Sequence, residues 1–407
     1  MKIRVGVLYG GKTTEHEVSI ITAVQAMGYL NEDKYEVIPI YLTKDNEIYT
    51  GDALKDLEVY KDYDLLKRYC HNVVCYNKNG VLALQSKSGL LKRVIKEVDI
   101  VLPCVHGYNM EDGNIQGLLE TYNVPYTGSD IYGCTVGQDK VFQKQILASE
   151  KLPITKYVWF YDNEYHENEE KIVESVKKLG FPVIVKPARQ GSSIGIKVAR
   201  NEVGLKDAIE EAIKYDDKIL VEEVIENLTE LNCSVLGSSS YQEASVIEQV
   251  LGSDEILSFS DKYLGNGAKK GGLKKLNKPS KGMVSLDRII PADISDELTN
   301  EIKETSKKAF RVLGASGVVR IDYLYDKKAN KYYINELNTI PGSLAFYLWT
   351  PLNKEYDELL DDMINIAVKR YKNHLKKTTI FESNILSNYN GSKGVKGKLR
   401  KWKSTIL

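Results

Sequence analysis

The 407 residues carry 56 Lys+Arg and 56 Asp+Glu, so the formal net charge is zero; 43% are apolar and 28% charged. At roughly 150 residues per domain this length suits two to three globular domains with an ample core, not a disordered or fibrous chain. Neutrality removes the simplest argument for a nucleic-acid partner, and without any run of about 18 apolar residues no membrane-spanning helix is expected.

The chain opens on a β-branched run, Ile3, Val5, Val7 and Leu8, followed by the Gly10-Gly11 turn. A helix is predicted over 15–30, with Val18, Ile21, Thr22 and Gln25 at helical spacing. Strands follow at 35–41 and 98–103, and strands alternating with helices predict a parallel α/β sheet. Weak periodicity over 45–91 predicts loosely ordered excursions at the edge of that sheet. Residues 133–137 read as a Gly-rich loop before a helix at 138–151. A different layout follows, with a strand at 157–160, a helix at 169–179 and a strand at 182–187. The Gly/Ser loop 190–195 then leads to a strand at 196–199, a helix at 203–215 and a strand at 219–223. The strands on either side of that loop predict an antiparallel hairpin. Strands at 231–237 and 244–250 precede an amphipathic helix at 295–313, with Ser295 as N-cap and Gly314 at its end. Strands at 317–325 and 331–337 and a helix at 356–371 complete the series.

Two segments break the charge balance. Residues 262–281 hold seven lysines and no acid, and no acid follows Glu382, although Lys393, Lys396, Lys398, Arg400, Lys401 and Lys403 do. Solvated loops account for both in the first instance. The five cysteines (Cys70, Cys75, Cys104, Cys134, Cys233) show no CxxC spacing, and the first residues lack a signal peptide's apolar segment. A reduced, cytoplasmic protein without structural zinc is expected.

Three segments carry chemistry. His106-Gly107-Tyr108-Asn109-Met110-Glu111-Asp112-Gly113 follows an apolar strand and leads into a helix, the place where open α/β sheets bind ligands. Glu111 and Asp112 are placed in the first turn of that helix, at the positive end of its dipole. Lys186 ends the apolar strand 182–187, and an unpaired ammonium is costly to bury. The Gly/Ser loop after it offers backbone N–H groups and two hydroxyls to a phosphate, although the Walker A spacing is absent. Finally, alternation puts Arg320 and Asp322 on one strand face, and Glu336 and Asn338 on one face of the next strand. Such oxygens suit Mg²⁺ bridging nucleotide phosphates.

The ordered segments VGVLYGGKTTEHEVS, HGYNMEDGNIQG, QDK, VIVKPARQGSSIG, VEEVI, SDKY, VVRIDYLY and NELNTIPG resemble the D-alanine–D-alanine ligases of the ATP-grasp superfamily, over about residues 2–370. The resemblance implies an N-terminal α/β substrate-binding domain (1–137) followed by a two-lobed ATP-grasp fold. The lobes are 138–226 and 227–376, with a mobile loop at 258–283, and a basic tail occupies 377–407. It implies an ATP-dependent ligase joining D-alanine to D-alanine through an acyl phosphate for peptidoglycan precursor synthesis. The alternative acceptors are D-serine or a bulkier amine. It also implies ATP, two Mg²⁺ ions (or Mn²⁺), small-molecule substrates and a homodimer, with no nucleic-acid or membrane partner.

Residue by residue, Lys140 and Lys186 resemble the lysines on the ATP phosphates, and the loop with Ser192 resembles their lid. Glu222 with the Val224 and Ile225 backbone would take the adenine edge, and Glu230 the ribose. Asp322, Glu336 and Asn338 resemble the metal ligands. Glu17 and His106 would engage the first amino acid, and Glu17, Ser193 and Tyr263 the closing hydrogen-bonded set. Lys262 would reach the transferring phosphate, and Arg320 with the Gly342 N–H would stabilise oxyanions.

Met110 and Gln138 stand where the family usually has glycine and methionine. After Gly342 the chain reads Ser343-Leu344-Ala345-Phe346-Tyr347-Leu348-Trp349 instead of a polar stretch with an acceptor-binding serine. Ser343 or Tyr347 would replace that serine, and the residue types do not choose between them. Ser343 is carried as the substrate-binding candidate. The Lys262-Tyr263 pair resembles the dipeptide-forming rather than the D-lactate type. A nucleic-acid reading of the lysine loop is the weaker one, since only Tyr263 interleaves its lysines, and GxxxGG at 6–11 is not a GxGxxG fingerprint.

Overall fold

The computed structural model describes residues 2–89, 92–251, 288–380 and 382–385. Lys262, Tyr263, the loop 258–283 and most of the basic tail lie outside the described residues. Met1–Lys369 form one compact unit and Arg370–Leu407 another. In the second, the described residues include the last helical residues up to His374 and a turn in which Leu375 N–H donates to Tyr371 O.

The first sheet is built around β1 (Ile3–Gly10), which is buried on both faces from Val5 to Gly10. After α1 (His16–Tyr29) comes β2 (Tyr35–Leu42), parallel to β1. Next are β3 (Ile48–Thr50), α2 (Tyr63–Tyr69), β4 (His71–Lys78), β5 (Val81–Ser86), β6 (Val94–Val98) and β7 (Ile100–Pro103). The order is β6-β5-β4-β3-β2-β1-β7, with β7 parallel to β1 and an antiparallel meander from β2 to β6. The expected parallel core is present, and the stretch read as loose excursions extends it as ordered strands. These strands escaped the sequence reading because β4 is half exposed and mixes polar residues on both faces. In α1 the inward face also differs: Ile21 is exposed, while Ser19, Thr22, Ala23 and Ala26 are buried. Ser19 Oγ accepts from Gly10 N and donates to Cys104 O, so this polar position is satisfied inside the core.

After α3 (Asn114–Thr121), residues 133–137 lie within a helix, α4 (Ile131–Gln138), and not in a loop. The glycines there serve close approach. A Cβ on Gly133 would stand 2.6 Å from Gly314 O, and one on Gly137 2.4 Å from Thr339 Cγ2. Asp130 caps α4, and Asp139 caps α5 (Lys140–Ser149).

The second sheet contains β8 (Tyr157–Tyr161), β9 (Val183–Pro187), β10 (Lys197–Ala199) and β11 (Lys218–Glu223), interleaved with α6 (Asp162–Glu167), α7 (Glu169–Lys177) and α8 (Glu202–Ile213). It is antiparallel in the order β10-β9-β11-β8, and the expected β9–β10 hairpin is formed. The third sheet runs β14-β13-β12-β15-β16, from β12 (Leu228–Ser238), β13 (Tyr241–Val250), β14 (Arg288–Ile289), β15 (Gly317–Asp326) and β16 (Lys331–Asn338). The helix α9 (Asp296–Val312), capped by Ser295 Oγ, buries Ile302, Ala309 and Phe310 against it.

Trp349 and residues of α10 (Tyr356–His374), among them Tyr356, Leu359 and Met363, share one core with Val5, Val7, Ile38 and Leu102 of the first sheet. Each such buried side chain contributes about 1.5–3 kcal/mol. The segment after Gly342 is thereby anchored beneath α1.

Candidate active site

The carboxyl ends of β1 and β7 meet the β15–β16 pair around a cavity of about 130 Å³. Its lining includes Glu15, His106, Glu111, Lys140, Ser192, Glu230, Arg320, Asp322, Glu336, Asn338 and Gly342. Most of the expected residues therefore converge.

Among the described residues, Glu17, Ser193, Lys186, Glu222, Val224, Ile225 and Ser343 are not part of the lining. Glu17 is the second residue of α1, 68% exposed and paired with Lys44 at 2.7 Å. Glu15, just before that helix, is 8% exposed, lines the cavity and accepts the Ser192 hydroxyl. Ser193 is absent from the lining, whereas Ser192, expected in the phosphate lid, is part of it. Two glycines make room for Glu15. A Cβ on Gly107 (φ +82°) would fall 2.7 Å from Glu15 Oε2, and one on Gly191 2.8 Å from the same atom. Glu15 and Ser192 thus stand in the cavity where Glu17 and Ser193 were expected, two residues and one residue away in sequence.

The β15–β16 register sets Arg320 opposite Asn338 and Asp322 opposite Glu336. Arg320 Nε and Nη2 donate to the two Asp322 oxygens at 2.6 and 2.7 Å, and Asn338 Nδ2 donates to Asp322 Oδ2 at 3.1 Å. Burial disfavours the Arg320 cation, but Asp322 outweighs it and holds the guanidinium well above its ordinary pKa. A β-bulge after Asp322 leaves Asn335 as the extra residue of β16, and Asn335 Oδ1 accepts from Lys186 Nζ at 3.0 Å. Among the described residues no three His, Cys, Asp or Glu side chains are grouped closely enough to hold a metal ion by themselves. The oxygen cluster is two carboxylates and an amide.

Lys140 Nζ donates to Gln190 O at 2.8 Å and lies 3.1 Å from Glu336 Oε2. Below it, Glu222 is buried between Lys144 (2.5 Å) and Lys186 (2.8 Å), with Thr155 donating to Oε1. Burial raises the Glu222 pKa, but the two ammonium groups outweigh it and hold the carboxyl well below its usual range. Lys186 Nζ lies 2.8 Å from Oε2, so each carboxylate oxygen faces an ammonium group. Val224 N–H donates to Pro182 O at 3.3 Å, and neither Val224 nor Ile225 lines the cavity.

Glu111 is not in the first turn of α3, which begins at Asn114. It turns inward instead, accepting from Ile340 N (2.9 Å), Thr339 Oγ1 (3.2 Å) and Gly107 N (3.2 Å). Burial, then Glu15, push its carboxyl up to about 7 against those donors. Burial lowers His106 from 6.5 to about 4, so its imidazole is neutral at pH 7. Its Nε2 lies 2.9 Å from Thr22 Oγ1, which also accepts from Ser343 N at 3.1 Å.

Ser343 is 1% exposed, and its hydroxyl donates to Gln25 Oε1 at 2.7 Å. It faces α1, not the cavity, which removes it as the acceptor ligand. Ser343, Leu344 and Ala345 all adopt left-handed backbone (φ 52°, 51° and 51°), at about 1–2 kcal/mol each. The Thr22 and Gln25 bonds, with Leu344 N–H to Pro341 O at 2.8 Å, hold the turn.

Residues 4–129 match the family model described as D-ala D-ala ligase N-terminus, and residues 146–365 that described as D-ala D-ala ligase C-terminus. The D-alanine–D-alanine ligase of Thermosipho melanesiensis is 38% identical over 385 residues, covering 94% of this chain and 98% of the relative. The chain belongs to the D-alanine–D-alanine ligase family. The ligase of Thermosipho africanus is 37% identical over 94% of this chain and 98% of its own. Among solved structures, the VanG D-Ala:D-Ser ligase of Enterococcus faecalis aligns with TM-score 0.73 at 26% identity, over 90% of this chain and all of that one. The D-alanine-D-alanine ligase of Coxiella burnetii shares the fold, with TM-score 0.75 at 24% identity over 92% and 96% of the two chains. The enzyme is accordingly an ATP-dependent D-alanine–D-alanine ligase with the ATP-grasp fold. No helix among its described residues is long and apolar enough to cross a membrane.

The sequence reading passed over Asn232, Glu248 and Arg288 of this ligase, which line the same cavity. They lie on separate strands, so no local spacing marks them.

The neutral His106 has a consequence for stability. A depressed histidine pKa stabilises the fold above the unfolded value near 6.5, and that contribution is lost as pH falls toward 4. Relative to a His106→Asn variant, wild-type stability should drop by about 2 kcal/mol between pH 7 and pH 5. Glu111, raised, acts in the opposite sense in both proteins and cancels from the difference. Urea melts at each pH test this; a difference that grows toward acid would refute it.

Proposed function

We propose that this cleft joins two D-alanines through an acyl phosphate, supplying a peptidoglycan precursor in the cytoplasm, with the enzyme acting as a homodimer. The carboxylate of the first D-alanine attacks the γ-phosphorus of ATP and ADP leaves. The amine of the second attacks the resulting acyl carbonyl, the C–N bond forms and phosphate departs. Charge builds first on phosphoryl oxygens and then on a tetrahedral oxyanion, so fixed cations and N–H donors serve better than a nucleophilic side chain.

The observation that carries this reading is the registered set Arg320–Asp322 and Glu336–Asn338 facing the Glu15–Ser192 pair across one cavity. Lys140 and Lys186 would hold ATP phosphates. Glu222 would accept the adenine amine, beside the Val224–Ile225 backbone, and Glu230 would take the ribose. Arg320 and the Gly342 N–H would face the oxyanion. Asp322, Glu336 and Asn338 offer a hard oxygen set that fits Mg²⁺. A bound divalent ion would neutralise phosphate charge there, while Arg320 and Lys140 now balance the same carboxylates. Glu15 with Ser192, and His106 as a neutral hydrogen-bonding group, would border the first amino acid. The two lobes would be 138–226 and 227–376, closing over ATP.

ADP release that depends on both D-alanine and Mg²⁺, with a product of dipeptide mass, is the expected result. ATP turnover indifferent to D-alanine at every concentration would sink the proposal.

A further inference from the structure

The second amino acid must present a free amine to the acyl carbonyl while its own carboxylate is held. Residues 343–349 supply no hydroxyl for that purpose: Ser343 faces Gln25, and the Tyr347 hydroxyl donates to Glu248 Oε1 at 3.0 Å. We propose that Arg288 anchors the α-carboxylate of the second amino acid, with Glu248 and Tyr347 as its positioning residues; the inference rests on the ligase reading above.

Three cations line the cavity among the described residues: Lys140, Arg320 and Arg288. Arg320 gives two N–H groups to Asp322, and Lys140 is taken by Gln190 O and Glu336. Arg288, 18% exposed, makes one hydrogen bond among the described residues, Nη1 to Glu248 Oε2 at 3.2 Å. Its remaining N–H groups form a planar fork suited to a carboxylate.

The fork is fixed in place from below. Its central carbon lies 4.9 Å from the Tyr347 ring centroid, a stacking that restrains the guanidinium plane. Glu248 is itself 1% exposed and held by Asn232 Nδ2 at 2.8 Å as well as by Tyr347. That carboxylate lowers the cost of keeping a cation there without filling its outward donors. Val250, opposite Arg288 in the β13–β14 ladder, adds an apolar wall to the same cavity, suited to a small side chain.

The test uses D-alanine as donor with D-alaninamide, which lacks the carboxylate, as competing acceptor. Product masses then give the ratio of dipeptide to dipeptide amide. Wild type should favour the dipeptide strongly. Arg288→Gln should shrink that preference about 30-fold, with the acceptor KM rising and the KM for ATP staying within about twofold. Arg288→Lys, which keeps the charge beside Glu248 but loses the fork, should shrink it about tenfold. Tyr347→Phe should raise the acceptor KM about threefold at unchanged kcat, through looser placement of Arg288. An unchanged ratio in Arg288→Lys overturns the inference even if Arg288→Gln does not fold, as does a KM effect confined to ATP. Wild type yielding neither product would bring down the ligase reading itself, a result distinct from wild-type dipeptide with insensitive variants.

Discussion

Replacing Glu336 by Gln is expected to lower kcat by about two to three orders of magnitude while leaving the fold nearly as stable. The side chain keeps its size and one carbonyl oxygen, so the change removes a single negative charge from the face where Asp322 and Glu336 stand opposite each other. If that charge helps hold a divalent ion on the nucleotide phosphates, its loss falls on the transition state, where such stabilisation amounts to several kcal/mol. Stability should change by about 1 kcal/mol or less. Glu336 is 22% exposed, and its partner Lys140 keeps a hydrogen bond to Gln190 O when the ion pair is weakened. Phosphate release and thermal melting on the same preparation separate the two effects. The variant should also need a higher Mg²⁺ concentration for half-maximal rate. Near-normal turnover at unchanged Mg²⁺ dependence would take the metal role away from Glu336.

That site was readable because its residues sit two apart on neighbouring strands, where the period-2 rule places side chains without knowledge of the rest of the fold. Arg320 with Asp322, and Glu336 with Asn338, needed only alternation, and the pairing of β15 with β16 brought the two faces together. Asn335 escaped because a bulge breaks the alternation there and turns it toward Lys186. Arg288 and Glu248 had no local signal at all. They meet through the short β13–β14 ladder, between residues almost 40 positions apart.

Glycine was the least reliable guide in the fold. At 133 and 137 it was read as loop, yet both glycines lie in α4 because neighbouring backbone and side chains leave no space for a Cβ. At 107 and 191 the same residue type does mark the site, since both positions clear space for one carboxylate. Composition cannot distinguish these uses, because the difference lies in what approaches the glycine from elsewhere in the chain. The meander β3–β6 was missed for a related reason: half-exposed strands need no apolar alternation when only part of each face is covered.

The resemblance pointed to Glu17, whereas Glu15 lines the cavity, and this yields a sharp contrast between two glutamates. Glu15 precedes α1 with non-helical backbone (φ −101°, ψ 22°), so a helical wheel does not describe its direction, whereas Glu17 lies on the wheel and points to solvent. Glu15→Gln should reduce kcat/KM by about two orders of magnitude or more. It removes the buried charge that accepts the Ser192 hydroxyl, where each such interaction counts for more than at the surface. Ser192→Ala should lower activity in the same direction, and the double variant should lose less than the sum, because the two side chains form one contact. Glu17→Gln should stay within about twofold, since an exposed pair with Lys44 contributes about 0–1 kcal/mol to stability and Glu17 is not part of the cavity lining. Initial rates of ADP release over a D-alanine series for the four variants decide the matter. A severe Glu17→Gln defect alongside a mild Glu15→Gln one would return the role to Glu17 and require the loop 11–15 to rearrange when substrate binds.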